Sequence, residues 1–232
     1  MKINNIDISK FNAKQLTVDM QASSIEVEND WLDKSLTPIY LDTKIRYKPI
    51  SIVLYLRGKG RDDILNNISN ILSLMKNKCI LDLDGYRNKY VSYLTEHETE
   101  KTIRKDRYKL NLKFSAYEVG EEVTETINRI LSKSINVKGN SVTPCVVEIT
   151  PSTDLIELNI QGVANDPIRI KNLKKGKKII FNGEEGTVLE EGNNKYLDTD
   201  FWEFPFVLPG SNTITLSKNN CDIVIKYKPR YI

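Results

Sequence analysis

The chain is poor in the residues on which most enzymes and metal proteins depend. Its 232 residues hold a single histidine, His97, and three cysteines, Cys79, Cys145 and Cys221, far apart in sequence. One imidazole without neighbouring thiols cannot assemble a metal cluster. An odd number of cysteines without CxxC spacing points to free thiols in a reducing compartment rather than to a disulfide framework. No window approaches the ~18 apolar residues of a membrane span. The amino terminus, MKINNIDISKF, lacks the apolar core of a signal peptide, so a soluble protein made in the cytoplasm is expected. Thirty-four Lys and Arg against thirty-one Asp and Glu leave a net charge of +3. That balance is too small to argue for a nucleic-acid partner.

Recognisable chemistry is equally scarce. Gly58-Lys59-Gly60-Arg61 sits between a strand pattern and a helix pattern, but the GxxxxGK[ST] spacing of a phosphate loop is absent, and a tight turn explains it. The basic run Lys171–Lys178 reads as a solvated β-turn with Gly176 at its tip. His97 is flanked by Glu96, Glu98 and Glu100, which alternation would divide between two faces; an exposed loop residue is the simpler reading. The carboxylates Glu184, Glu185, Glu190, Glu191, Asp198 and Asp200 raise the option of glycoside hydrolysis. Turns of β proteins collect such residues for backbone reasons, and nothing marks one of them for the burial that raises an acid's pKa. No catalytic, metal or cofactor-binding residue is assigned, no cofactor is expected, and the chain is read as a non-enzyme.

What is present is β periodicity. Gln15–Met20 and Ser24–Val27 alternate weakly, Ile39–Tyr47 is rich in β-formers, and Ile50–Arg57 (ISIVLYLR) is a strong strand. One segment breaks the pattern: over residues 62–77, Ile64, Leu65, Ile68, Ile71, Leu72 and Met75 recur at helical steps. Asp62 or Asp63 would cap this helix, and Lys76 and Lys78 would complement its carboxyl end. Cys79–Leu83 and Tyr90–Leu94 form a hairpin about Asp84-Gly85. Tyr108–Tyr117 sets Leu110, Leu112 and Phe114 on one face. Between them Glu96–Arg107 is a charged stretch read as a solvated loop or arm.

Gly120–Asn140 is read as a polar linker with a short helix near Val123–Leu131. Beyond it come seven short strands: Val146–Thr150, Leu155–Ile160, Ile168–Ile170, Lys177–Phe181, Thr187–Glu190, Thr213–Leu216 and Ile223–Tyr227. Turn signals punctuate them, which indicates an antiparallel sandwich or barrel. In Pro209-Gly210-Ser211-Asn212, Pro209 presets φ, Gly210 supplies a positive φ, and Asn212 can bond back to the local backbone. Alternation through Phe201–Phe206 would place Trp202, Phe204 and Phe206 together in the core.

The order of these segments resembles the distal tail proteins of phages and phage-derived tail particles, the siphovirus-type tail component family. The resemblance runs through ISIVLYLRG, DDILNNISNILSLM, LDLDGYRNKYVSYL and YKLNLKFSAYE, then through FNGEEGTVLEEGNNKYLDTDFWEFPFVLPGSNTITLS. It implies a mainly β protein with an N-terminal β-sandwich or ring domain over residues 1–135, carrying the inserted helix, and a galectin-like antiparallel β-sandwich over residues 136–232. It further implies a structural protein of the virion tail: a hexameric ring joining the tail tube to the baseplate or tail tip. Its partners would be other copies of itself, the tail tube protein and the tail-tip or hub protein. Ile50–Leu56 and Tyr108–Phe114 are then candidates for the sheet that carries ring contacts, with Arg104 and Arg107 as candidate interface residues. The alternative is a carbohydrate-binding module using Trp202 or Tyr196 to stack on a host wall glycan.

Overall fold

Strand periodicity governs the computed structural model, which describes residues 1–232. The chain divides into two units, Met1–Val119 and Gly120–Tyr231. The first unit runs β1 (Lys2–Ile3), β2 (Ile6–Asp7), β3 (Ala13–Met20), β4 (Ile25–Asp30), β5 (Ile39–Ile45), β6 (Lys48–Arg57), α1 (Arg61–Ser73), β7 (Cys79–Asp82), β8 (Lys89–Lys101) and β9 (Arg107–Val119). All but β4 and β5 join one antiparallel sheet in the order β2-β1-β7-β8-β9-β6-β3. Along β6, Ile50, Ile52, Leu54 and Leu56 are buried, and opposite them on β9 lie Tyr108, Leu110, Leu112 and Phe114. The same core receives Ile64, Ile68 and Ile71 of α1 together with Met75. The sheet curls. The Gln15 side-chain amide donates to the Asp84 carbonyl and its oxygen accepts from the Asp84 N–H, both at 3.1 Å, so edge strand β3 reaches the turn beyond β7.

Two details of this unit differ from the sequence expectation. The helix stops at Ser73, because Leu74 and Met75 donate to carbonyls three residues back, tightening the last turn; Lys76 and Lys78 fall outside it. Its N-cap is Gly60, and Asp63 instead accepts from the Lys59 N–H at 2.9 Å. Gly58 is needed in that turn, since a Cβ there would lie 2.6 Å from Ile64 Cγ1. The second difference is larger. Glu96–Lys101 is no loop but the outer half of β8, paired with β9 beyond a bulge between Leu94 and Glu96. Both faces of this arm are solvated, so its charges alternate with nothing apolar and hide the period of two.

The second unit contains β10 (Val123–Asn128), β11 (Ser132–Val137), β12 (Thr143–Pro151), β13 (Leu155–Gln161), β14 (Ile168–Leu173), β15 (Ile179–Asn182), β16 (Thr187–Glu190), β17 (Asn193–Asn194), β18 (Thr199–Asp200), β19 (Phe206–Val207), β20 (Gly210–Leu216) and β21 (Cys221–Tyr227). Two antiparallel sheets, β10-β21-β12-β15-β16-β17 and β11-β20-β13-β14-β18, enclose one core. All seven strands expected from the sequence are present. The expected linker is absent: β10 pairs with β21 and β11 with β20, burying Ile127, Ile135 and Val137. The unit therefore begins at Gly120, whereas the sequence reading ends the first domain at residue 135.

Local polar bonds lock the sandwich. Gly210 takes φ +89°. Asn212 accepts from the Leu208 N–H at 3.0 Å and donates to the Leu208 and Gly210 carbonyls at 2.7 and 3.1 Å. Lys195 is buried, pairing with Glu190 at 3.1 Å and Asp198 at 3.3 Å while donating to the Asn172 carbonyl at 3.1 Å. These two carboxylates are thus structural, and the Asn172 amide with Lys195 lowers the pKa of Asp198. All three cysteines are free and buried, and burial pushes Cys145 up to about 12 and Cys79 and Cys221 up to about 11.

Two outcomes follow for stability. Asn212→Ala leaves the Leu208 N–H and the Leu208 and Gly210 carbonyls without their side-chain partner and should destabilise the second unit by about 1–2 kcal/mol, measured by urea unfolding. Glu148 is the other test: bonds from Lys178 and Lys226 hold its carboxyl below the usual range. A depressed folded pKa means the stabilisation is present above the unfolded value of ~4.3 and fades as pH falls through the folded value. Glu148→Gln should therefore cost about 1 kcal/mol at neutral pH and flatten the acid limb of the stability–pH curve.

Candidate assembly surface

The β4–β5 ribbon is the part of the first unit that its own core cannot account for. These strands pair only with each other, and every one of their residues is exposed. The ribbon continues the β3–β6 pair, with Gln21 N–H donating to the Pro49 carbonyl and Arg46 N–H to the Ser24 carbonyl. Its register sets Ile25 opposite Ile45 and Val27 opposite Thr43, so these residues share one face, while the exposed Leu41 lies at the bulge between the Glu28–Asp42 and Asn29–Tyr40 pairs. The other face is charged: Glu26 accepts from Arg46 Nε at 2.8 Å, and Glu28 pairs with Lys44. At the far end Trp31, Leu32 and Leu36 are exposed, Leu36 at 96%. A two-stranded ribbon is marginal in water by itself. One carrying a contiguous apolar face and an apolar tip marks an interaction surface.

The ribbon's root is firmly built. Lys48 is buried and pairs with Glu118, whose other oxygen accepts from Asn88 Nδ2 at 2.7 Å. Tyr47 packs against Tyr93 and Tyr117 with ring centroids 6.0 and 6.2 Å apart.

At the opposite end of β6 lies the tip of the β8–β9 arm. The register runs from Lys48 opposite Ala116 to Arg57 opposite Arg107, so the ten residues of β6 separate ribbon root from arm tip. That distance is roughly 30 Å. The tip is tied by Thr102 Oγ1, which donates to the Arg107 carbonyl at 2.9 Å. Arg107 is half-buried with its guanidinium 6.0 Å from the Tyr55 ring centroid, while Arg104 and Ile103 are exposed. Both arginines line one cleft of about 570 Å³ with Tyr55, Glu100 and Lys109. The two arginines singled out from the sequence are thus brought together, in unequal roles. Sequence reasoning found these two strands but missed the surface they form; its signal was an apolar alternation in Ile25–Val27 and Leu41–Ile45 bounded by matched charges.

In the second unit the aromatic expectation is corrected. Phe201–Pro205 is irregular, so alternation does not apply to it. Phe201 packs edge-on against Phe181, Tyr196 and Phe204 with centroids 5.8, 5.5 and 5.0 Å away, whereas Trp202 points outward and is 87% exposed. Tyr196 is exposed on its other side but belongs to this cluster, apart from Trp202.

Comparison with known proteins fits this architecture. Residues 138–231 match the family model of the siphovirus-type tail component, C-terminal domain. Over 99% of this chain and 98% of the other, the fold matches the SPP1 Dit protein, described as a paradigm of the hub adsorption apparatus in Gram-positive-infecting phages, with a TM-score of 0.75 at 11% identity. A chain of the phage P2 baseplate in its activated conformation with Ca matches over 96% of this chain and 92% of its own, TM-score 0.57 at 11% identity. One from the phage p2 baseplate with Sr matches over 97% and 94%, TM-score 0.56 at 11% identity. No curated protein matches the chain. The resemblance drawn from the residues is therefore met, by the family model over the second sandwich and by fold over the whole length.

The root of the ribbon supplies a direct test of its anchoring. Glu118→Ala leaves the buried Lys48 ammonium without its partner and should lower the stability of the first unit by about 3 kcal/mol, read as a shifted urea midpoint.

Proposed function

We propose that this protein is a structural component of a phage tail, acting at its distal end as a closed ring of identical chains. By the family resemblance the ring has six members and joins the tail tube to the baseplate or tail tip. The observation that carries the reading is the placement of two unlike surfaces at opposite ends of β6. One is the ribbon, with an apolar face and Asp30, Asp33 and Asp42 outnumbering Lys34 toward its tip. The other is the arm tip, where Lys101, Arg104, Arg107 and Lys109 outnumber Glu100 around the Tyr55 cleft and Lys105 lies in the adjoining turn.

A surface that meets a different surface on the next copy forms a heterologous contact, and such contacts close into rings when the rotation permits. The occupant of the ribbon's apolar face is accordingly a second copy of this chain. Opposite charge at the two ends favours head-to-tail register over head-to-head pairing. Covering the ribbon would also satisfy its open backbone edges and remove the aggregation hazard that it poses in a free chain.

Light scattering of charge-reversed variants tests the reading. Arg104→Glu with Lys105→Glu should weaken assembly about tenfold or more, and so should Asp30→Lys with Asp33→Lys. Combining all four changes should restore it. Arg107 is spared in this design because its packing on Tyr55 would confuse folding with association. A chain that stays monomeric at every concentration, or variants that assemble as the parent does, would overturn the proposal.

A further inference from the structure

A second surface stands outside the ring reading. The sheet β11-β20-β13-β14-β18 turns a row of polar side chains outward, and the row ends at the exposed indole of Trp202. Register places Asn159 of β13 directly opposite Arg169 of β14, and Arg169 opposite Asp200 of β18. With Gln161, Asp166, Pro167 and Trp202 these residues line a cleft of about 280 Å³. That volume falls just below the ~300 Å³ at which drug-sized ligand pockets begin. It suits a single six-membered ring with its substituents.

The polar groups of the cleft are unspent. Asn159 Oδ1 is buried and has no hydrogen-bond partner. Gln161, Asp166, Arg169 and Asp200 make no side-chain hydrogen bond or ion pair with the rest of the protein, although Arg169 and Asp200 face each other across two strands. Asn159 Oδ1 is the buried acceptor of the cleft that lacks a protein partner, which calls for an explanation, while Gln161, Asp166, Arg169 and Asp200 are exposed and free to meet a ligand. The rim, by contrast, is fixed. Asn165 Nδ2 donates to Glu203 Oε2 at 2.8 Å, and the Phe206 N–H donates to the Val163 carbonyl at 2.7 Å. Both bonds tie the loop after β13 to the segment that carries Trp202. Phe201, packed beneath, anchors that segment to the core.

We infer that this cleft is a saccharide-binding site. A pyranose presents an apolar C–H face and a rim of hydroxyls that both donate and accept. The indole of Trp202 offers a flat apolar platform for the face. Asn159, Gln161 and Arg169 supply planar donor groups, and Asp166 and Asp200 supply carboxylate acceptors. One guanidinium against two carboxylates disfavours a phosphate or sulfate and favours an uncharged or N-acetylated ring. Tyr196 lies in the Phe201 cluster and takes no part, which separates this site from a general aromatic surface. The site is independent of the ring: it uses no residue of the first unit.

The experiment uses the full chain carrying Trp31→Phe, which leaves Trp202 as the one fluorescent indole. Methyl glycosides of glucose, galactose and N-acetylglucosamine, the N-acetylglucosamine disaccharide and inorganic phosphate are titrated separately. A saturable change in emission with at least one sugar, accompanied by saturation-transfer NMR signals from its ring protons, is expected. In otherwise native protein, Trp202→Ala and Arg169→Ala should each weaken the NMR-detected binding about tenfold or more. Both residues are exposed, so folding should be unchanged, and the mass by light scattering should equal that of the parent. No saturable response to any sugar, binding that survives both substitutions, or a response to phosphate alone would overturn the assignment, whatever the outcome for the ring.

Discussion

An antiparallel ribbon of two strands has no second layer against which to bury a face, and this constraint organises the first unit. The β4–β5 pair grows out of the β3–β6 pair and leaves the curled sheet behind. From that point Ile25, Val27, Leu41 and Ile45 have only solvent before them. Everything that holds the ribbon's root is strong: the buried Lys48–Glu118 pair, the Asn88 bond to Glu118, the Tyr47 cluster. Nothing holds its face. A firmly rooted element with an uncovered apolar side implies a partner of complementary shape, and β6 carries a candidate socket at its other end.

The two units divide the physical work. In the first, the curled sheet and α1 form a core that aims two projections in opposite directions along one strand. In the second, alternation on both sheets builds an ordinary sandwich, with Asn212 and Lys195 locking its turns and Glu148 tying lysines of neighbouring segments across the β12 face. The carboxylates that raised the prospect of hydrolysis mostly serve this scaffold: Glu190 and Asp198 hold Lys195, and Glu185 closes the Asn182 turn. Asp200 alone among them reaches the outer cleft.

Elements with one buried face were legible in the sequence. The strands β6, β9, β12 and β21, and the helix, bury every second or every third-to-fourth residue over most of their length, and that periodicity is visible without coordinates. Three things were hidden, each for a physical reason. The outer half of β8 is solvated on both faces, so its pairing leaves no hydrophobic trace. β10 and β11 each place only one or two apolar residues in the core, Ile127 in the first and Ile135 and Val137 in the second, which is too thin a pattern to separate from a linker. Trp202 was assigned inward by a parity rule that holds only for extended strands, and Phe201–Pro205 is not one. Arg104 and Arg107 were singled out from the sequence, and the structure sets both on one cleft; the ribbon at the other end of β6 was seen as strands but not as a surface.

Backbone protection of the ribbon tests the central claim most directly. Hydrogen exchange is followed for residues 25–45 in dilute chain and in the assembled particle. The account predicts rapid exchange across both strands in the free chain, because neither face is covered. It predicts protection by a factor of about 100 or more on assembly, confined within the first unit to the ribbon and the arm tip around Arg104. Equal exchange of the ribbon in both states, with protection appearing elsewhere, would contradict it.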